Sequence, residues 1–206
     1  MQVEVYALTG TPGCGKTQTA NILRKKGIEV LDLNEFAKKC GATTRYLKRM
    51  ATWEVDLHIL SEKAWEVCRE SDEEILVIEG HLSHLLDCVT RIIVLRCAPS
   101  LLYTRLKKKK WKEEKIWENV EAEAIDLILI ESIETGNETF EIDTTCRDAA
   151  RTAACVVEIF EGNDKEYKPG RICWSADFID LMEKKKYAGK LQKKGRPIHF
   201  EDCEML

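Results

Sequence analysis

The sequence predicts an α/β layered fold, with a mostly parallel sheet and helices on both of its faces. Three observations carry that expectation. Ile75–Ile78 and Ile92–Leu95 are continuous apolar runs, the pattern of parallel strands buried on both sides. Strand-like and helix-like stretches alternate along the chain. A glycine-rich turn joins the first strand to the first helix, at residues 10–15. With 206 residues and 23.7 kDa, the chain can bury one sizeable core and is short for two.

Val3, Val5, Ala7 and Leu8 make a β-prone run that stops at Thr9-Gly10. Ala20, Ile22 and Leu23 recur at helical spacing within Lys16–Lys26, and Gly27 ends that helix. Ile28–Leu33 reads as a second strand. Asp32-Leu33-Asn34 supplies capping groups for a short helix through Cys40, closed by Gly41. Thr52–Arg69 reads as one amphipathic helix carrying Trp53, Val55, Leu57, Leu60, Ala64, Val67 and Cys68, with Trp53 and Trp65 expected in the core. The two apolar strands follow the break at Ser71-Asp72. Pro99 opens a helix with Leu101, Leu102 and Leu106, and a further helix is expected from about Glu113 to Glu134. Phe140–Asp143 is the last strand and Arg147–Phe160 the last core helix. The core is expected to span residues 1–162. Residues 163–206 form a partly flexible extension in which Arg171–Met182 can make an amphipathic helix or dock on the core.

Composition narrows the function classes. A net charge of −4 argues against a general nucleic-acid coat, which is basic overall. The cysteines are nine, an odd number, with no C-x-x-C pair. Free thiols, mostly small core residues, are expected rather than disulfides or a zinc knuckle. No apolar stretch approaches the ~18 residues of a membrane helix, and MQVEVYALTG lacks the basic start of a secretory signal. A cytoplasmic protein is expected, without membrane partners.

Residues 10–17 read Gly-Thr-Pro-Gly-Cys-Gly-Lys-Thr, a full G-x-x-x-x-G-K-S/T match between a strand and a helix, as a P-loop requires. Glycines let the backbone turn its N–H groups inward into an anion-binding nest, and the positive end of the following helix faces the same point. Lys16 can reach the β- and γ-phosphates and the Thr17 hydroxyl can bind Mg²⁺. Lys16 is expected to face solvent until nucleotide arrives. The fold is therefore expected to be a three-layer P-loop NTPase. No N-K-x-D follows a later strand, so a switch GTPase is set aside. A phosphotransferase and an ATPase remain. The Ile75–Ile78 strand ends in Glu79-Gly80-His81. If the two strands are neighbours, Glu79 faces the P-loop and can hold Mg²⁺ directly or through water. Gly80 permits a sharp turn to His81. His58 and His84 are read as surface or structural.

Leu8–Thr17, Glu79-Gly-His81, Val94-Leu-Arg96, Leu102-Tyr-Thr-Arg-Leu106 and Asn119-Val-Glu-Ala-Glu123 together resemble the atypical adenylate kinases of isoenzyme-6 type, a family of archaea and eukaryotic nuclei. The resemblance covers about residues 3–160. It implies a nucleoside-monophosphate-kinase-like core with a monophosphate-binding region near 32–56 and a short lid near 108–118. It implies phosphoryl transfer from ATP to AMP with Mg²⁺, a side ATPase activity, and a part in maturation of the small ribosomal subunit. The ribosomal partners implied are a platform protein and pre-ribosomal RNA. Lys16, Glu79 and His81 would be catalytic, with Thr17 and Glu79 at the metal. Gly13, Cys14, Gly15, Lys16, Thr17, Gln18, Arg96, Arg105 and Lys109 would contact nucleotide. Glu79 stands where the family often has Asp. Lys109, within Lys107–Lys110, stands where the family often has an arginine, and lysine cannot grip phosphate bidentately. Trp111 and Trp117 are expected to pack the lid. The runner-up is an ATP-hydrolysing assembly factor with little kinase activity. The basic run Lys184–Arg196 and the acidic end Glu201–Glu204 read as an RNA-touching stretch or a solubilising tail.

Overall fold

The computed structural model describes residues 3–47 and 52–192. Five strands, β1 (Glu4–Thr9), β2 (Glu29–Asp32), β5 (Ile75–Glu79), β6 (Arg91–Arg96) and β7 (Glu138–Asp143), form one parallel sheet in the order β2-β5-β1-β6-β7. Around it lie α1 (Lys16–Lys25), α2 (Leu33–Lys39), α3 (Leu57–Glu70), α4 (Pro99–Lys108), α5 (Glu113–Ala124), α6 (Leu127–Glu134) and α7 (Ala149–Phe160). β3 (Thr43–Leu47) and β4 (Thr52–Val55) pair as a separate antiparallel hairpin, and α8 (Ser175–Gln192) closes the described chain.

Side chains alternate across each strand. Tyr6, Leu8, Val77, Ile93, Leu95, Phe140 and Ile142 point to one face, against Ala20 and Leu23 of α1, Leu102 of α4 and Val156 of α7. Val5, Ala7, Leu76, Ile78, Ile92 and Val94 point to the other, against Ala37 of α2, Leu60 and Ala64 of α3 and Leu129 of α6. Both faces are thus dry, which is why the apolar runs in β5 and β6 are unbroken. β1 lies between β5 and β6, so its C-terminal end opens at the middle of the sheet, the usual ligand position in such sheets.

Three expectations are corrected. The stretch read as one helix over Thr52–Arg69 is strand β4 followed by α3. Asp56 makes the break by accepting from the N–H groups of His58 and Ile59 at 3.0 and 3.1 Å, an N-cap. Trp53 is therefore not core: it is 47% exposed on the hairpin, its ring 5.3 Å from that of Tyr46, whereas Trp65 does pack against the core. The helix expected over Glu113–Glu134 is two, parted at Asp126, whose φ of 59° stops α5. Arg96 donates to the Asp126 carboxylate and holds it there.

The C-terminal extension is docked over its described part. Asp177 accepts from the Ser100 N–H and hydroxyl at 2.8 and 2.6 Å, capping α4 from another helix. Phe178 and Leu181 join the core, and the Lys185 ammonium lies 3.5 Å from the Trp117 ring centroid. Lys193, Lys194, Arg196 and the acidic end lie outside the described residues. Among the described cysteines, Cys14, Cys68, Cys88, Cys97 and Cys155 are buried, while Cys146 and Cys173 are exposed. Among the described residues no helix is long and apolar enough to cross a membrane.

Candidate active site

The loop between β1 and α1 holds three glycines in the left-handed region, Gly10, Gly13 and Gly15, with φ of 132°, 106° and 100°. Gly10 is fixed by more than its dihedral. A Cβ there would stand 2.3 Å from the Leu95 carbonyl oxygen of β6, and backbone cannot yield as a side chain can. Gly10→Ala is therefore expected to cost about 3 kcal/mol or more. Gly15 faces open space, so Gly15→Ala should carry only the backbone strain of about 1–2 kcal/mol. Denaturant melts of the two variants measure the difference.

The nest is tied down from outside. Thr144 donates through its hydroxyl to the Cys14 carbonyl at 3.0 Å, and Arg105 Nη1 donates to the Gly13 carbonyl at 3.3 Å. Lys16 departs from expectation: it does not face solvent. It is 8% exposed, and its Nζ donates to the Gly10 and Thr11 carbonyls at 2.6 and 3.2 Å. The ammonium folds back onto the loop's own carbonyls, which accept its protons. Burial lowers its pKa, against the opposing pull of Cys14, Glu79 and Glu123.

β5 neighbours β1 in register, Leu8 opposite Glu79, so the Glu79 carboxylate does arrive beside the loop. It is 2% exposed, and its Oε1 accepts from the Thr17 hydroxyl at 3.2 Å. Burial raises its pKa, helped by Asp32 and opposed by Lys16. The chain turns at Gly80 as expected, the Ser83 N–H donating back to its carbonyl at 3.3 Å, and glycine has a second use there: a Cβ would meet the Leu33 Cβ at 2.8 Å, so its absence lets α2 approach the strand end. His81 lines the cleft, and burial, then Lys16, lower its pKa to about 4. The ring is neutral near pH 7. His84 is structural and buried, its ring between the Thr9 hydroxyl at 3.1 Å and Glu131 at 3.2 Å.

The cleft over the loop has a volume of about 1290 Å³. Gly13–Thr17, Gln18, Glu79, His81, Arg105 and Lys109 all line it, and Trp111 forms part of its wall. Trp117 instead is core, against Tyr103 at 5.2 Å. Arg96 is the exception among the proposed phosphate contacts. It is 1% exposed and its guanidinium is spent on Glu123 at 2.8 Å, Glu141 at 3.1 Å and Asp126. An arginine so neutralised has no free donor edge for phosphate, and its reading as a phosphate contact is withdrawn.

Among the described residues there is no cluster of three or more His, Cys, Asp or Glu that could hold a metal by itself. A hydroxyl and one carboxylate oxygen, Thr17 and Glu79, are hard donors. They suit Mg²⁺, which binds through one or two protein ligands plus substrate phosphates and water.

Glu123 escapes the sequence reading as a site residue. It accepts from the Thr11 hydroxyl at 2.5 Å and is 3% exposed. Charge hides it among the glutamates of α5. Its phase does not: Ile116, Val120 and Glu123 lie at i, i+4 and i+7, all on the buried stripe.

A family model described as an AAA domain matches residues 7–126. A relative from Archaeoglobus fulgidus, described as "Putative adenylate kinase", is 41% identical over 182 residues, 87% of this chain and 96% of the relative. Proteins of the same description from Methanocaldococcus jannaschii and Methanosarcina barkeri are 36% and 37% identical, over 85% and 86% of this chain and 96% and 99% of their own length. Among solved structures, a Thermus thermophilus protein superposes with a TM-score of 0.57 at 15% identity, over 78% of this chain and 98% of that one. The shikimate kinase of Acinetobacter baumannii in complex with shikimate does so with a TM-score of 0.52 at 18% identity, over 78% and 94%. At such identities these two speak for the P-loop kinase fold alone.

Proposed function

The chain belongs to the atypical adenylate kinase family, and from that premise we propose that it transfers the γ-phosphoryl group of ATP to AMP, yielding two ADP. One observation carries the reading: the P-loop, the Glu79–Thr17 pair and the cations Arg105 and Lys109 border one cleft of about 1290 Å³. A pocket for one drug-sized ligand is usually about 300–1,000 Å³, so the volume favours two substrates at once.

The chain's part is positioning and charge neutralisation. The nest N–H groups take the β-phosphate. Lys16 leaves the Gly10 and Thr11 carbonyls and moves its ammonium onto the β- and γ-oxygens. Arg105, already anchored at the Gly13 and Thr144 carbonyls, and Lys109 from the lid add positive charge. Mg²⁺ bound with ATP at Thr17 and Glu79 would neutralise charge developing on the β- and γ-oxygens. An AMP phosphate oxygen attacks the γ-phosphorus, its bond forms as the bond to the β-bridging oxygen breaks, and ADP leaves on either side.

His81 supports a slower ATPase alongside. Neutral near pH 7 and lining the cleft, it can orient a water by hydrogen bonding where AMP is absent. His81→Ala is expected to lower hydrolysis at least about tenfold and AMP phosphorylation by less than about threefold. Because its pKa is about 4, this group leaves hydrolysis flat between about pH 6 and 8. Equal losses in both reactions, matched by a lower melting temperature, would remove His81 from the chemistry.

A cytoplasmic setting is part of the proposal, supported by the free thiols of the eight described cysteines. A part in small-subunit maturation rests on the family resemblance. The function is tested with a panel of acceptors: AMP, CMP, GMP, UMP and shikimate, each with MgATP. The proposal expects ADP formation to be stimulated by AMP above the others. Stimulation by shikimate or by none would contradict it.

A further inference from the structure

The structure assigns Glu123 as a positioning residue that locks the phosphate-binding loop to helix α5, the helix that carries the second half of the lid. Its Oε2 accepts from the Thr11 hydroxyl at 2.5 Å and from the Cys14 thiol at 3.9 Å, both inside the loop. Its Oε1 accepts from Arg96 Nε at 2.8 Å, the Cys97 N–H at 3.1 Å and the Trp174 indole at 3.2 Å. One carboxylate therefore joins the loop, the end of β6, α5 and the segment leading into α8.

The arrangement is unusual for a buried acid near a phosphate site, where a negative charge repels the ligand. Arg96 and Lys16 ease the conflict together. The Arg96 guanidinium is shared among Glu123, Glu141 and Asp126, and the Lys16 ammonium attracts Glu123 from the loop side, while the other Glu123 oxygen holds Thr11. The same cluster reaches the C-terminal segment: Glu141 Oε1 accepts from the Arg171 and Ile172 N–H groups at 2.7 and 3.2 Å. The corrected role of Arg96 follows from this, since it serves the carboxylate that serves the loop.

The tie matters because of what it holds. Gly10 and Gly13 flank Thr11 with positive φ, and a glycine-rich nest loses much backbone freedom when it closes on phosphate. Thr11 is the side chain in that stretch with a hydroxyl, and it spends its proton on Glu123. Fixing it in advance lowers the ordering cost of nucleotide binding. It also makes loop and lid helix move as one body.

The test uses the full chain and the non-hydrolysable analogue AMPPNP with Mg²⁺, by titration calorimetry, so it needs no acceptor and no turnover. The inference rests on nucleotide binding at this loop, not on AMP as acceptor. Thr11→Val removes the hydroxyl and keeps the shape; Thr11→Ser keeps the hydroxyl. Thr11→Val should weaken AMPPNP about tenfold, the size expected for one hydrogen bond to a charged group, and should lower the melting temperature modestly because the buried Glu123 carboxylate loses a donor, so binding is read per folded protein. Thr11→Ser should bind within about threefold of the parent. Glu123→Gln should weaken binding too, and the double variant should bind no more weakly than the weaker single one, because both cut the same link. Thr11→Val binding as tightly as the parent, or weakening no more than Thr11→Ser, overturns the assignment. So does a double variant that adds the two losses. Should Glu123→Gln fail to fold, the Val and Ser variants decide alone. Failure of the parent to bind AMPPNP overturns the proposed function as well, whereas tight binding by Thr11→Val overturns this inference alone.

Discussion

Lys16→Ala should reduce phosphoryl transfer about a thousandfold, the upper end of what the loss of one charge-stabilising donor costs. Lys16 carries the ammonium that the loop itself buries: Arg105 and Lys109 border the cleft, while Lys16 sits within hydrogen-bond distance of the loop carbonyls. Its removal leaves the γ-phosphoryl without the group that follows charge as it develops. The variant should also lose some stability. A buried cation beside Glu79 and Glu123 compensates two carboxylates, and the Gly10 and Thr11 carbonyls lose their donor. We expect a cost of about 1–2 kcal/mol, seen as a lower melting temperature without loss of the folded baseline. Initial rates at saturating ATP and AMP, corrected for folded fraction, check the main effect. Activity within tenfold of the parent would remove the P-loop from the mechanism.

Glu79→Gln should lower AMP phosphorylation and hydrolysis together, by about a hundredfold, and raise the Mg²⁺ concentration needed for half-maximal rate. The two reactions share one ATP–metal site, so they fall in step, unlike the split expected for His81. Stability should move the other way. Glu79 is a buried carboxylate whose pKa burial raises; its charged form is disfavoured in the fold, and its stability contribution declines as pH rises above the ordinary carboxylate range. Gln keeps the oxygen that accepts from Thr17 and drops the charge. The melting temperature at pH 7 should therefore hold or rise while activity falls. A variant that loses activity only as it loses folded protein would make Glu79 structural.

The features legible in the sequence are those set by local chemistry. The P-loop reads from Gly10 to Thr17, and the sheet reads from its unbroken apolar runs, since strands buried on both faces have no polar phase. Asp32 caps α2 as expected, accepting from the Asn34 and Glu35 N–H groups. What escapes reading is decided by distant partners. Trp53 and Val55 continue an apolar pattern into α3, yet Tyr46 pairs with Trp53 across a hairpin, and that pairing is invisible to a window of neighbours. Asp126 stops a helix because Arg96, thirty positions away, holds its carboxylate. The family resemblance implies a phosphate contact for Arg96. Three carboxylates from α5, β7 and the bend before α6 claim it first. The sequence places Lys16 in solvent until nucleotide arrives, but the nest supplies the Gly10 and Thr11 carbonyls as acceptors.

The central claim, transfer from ATP to AMP at this cleft, is tested most directly by ³¹P NMR of one sample holding the protein, Mg²⁺, ATP and AMP. All four phosphorus pools are then followed together. The account predicts that ATP and AMP disappear at equal rates, that two ADP form for each AMP lost, and that inorganic phosphate accumulates much more slowly. ADP and inorganic phosphate rising in equal amounts, with AMP unchanged, would contradict it and leave an ATPase in its place.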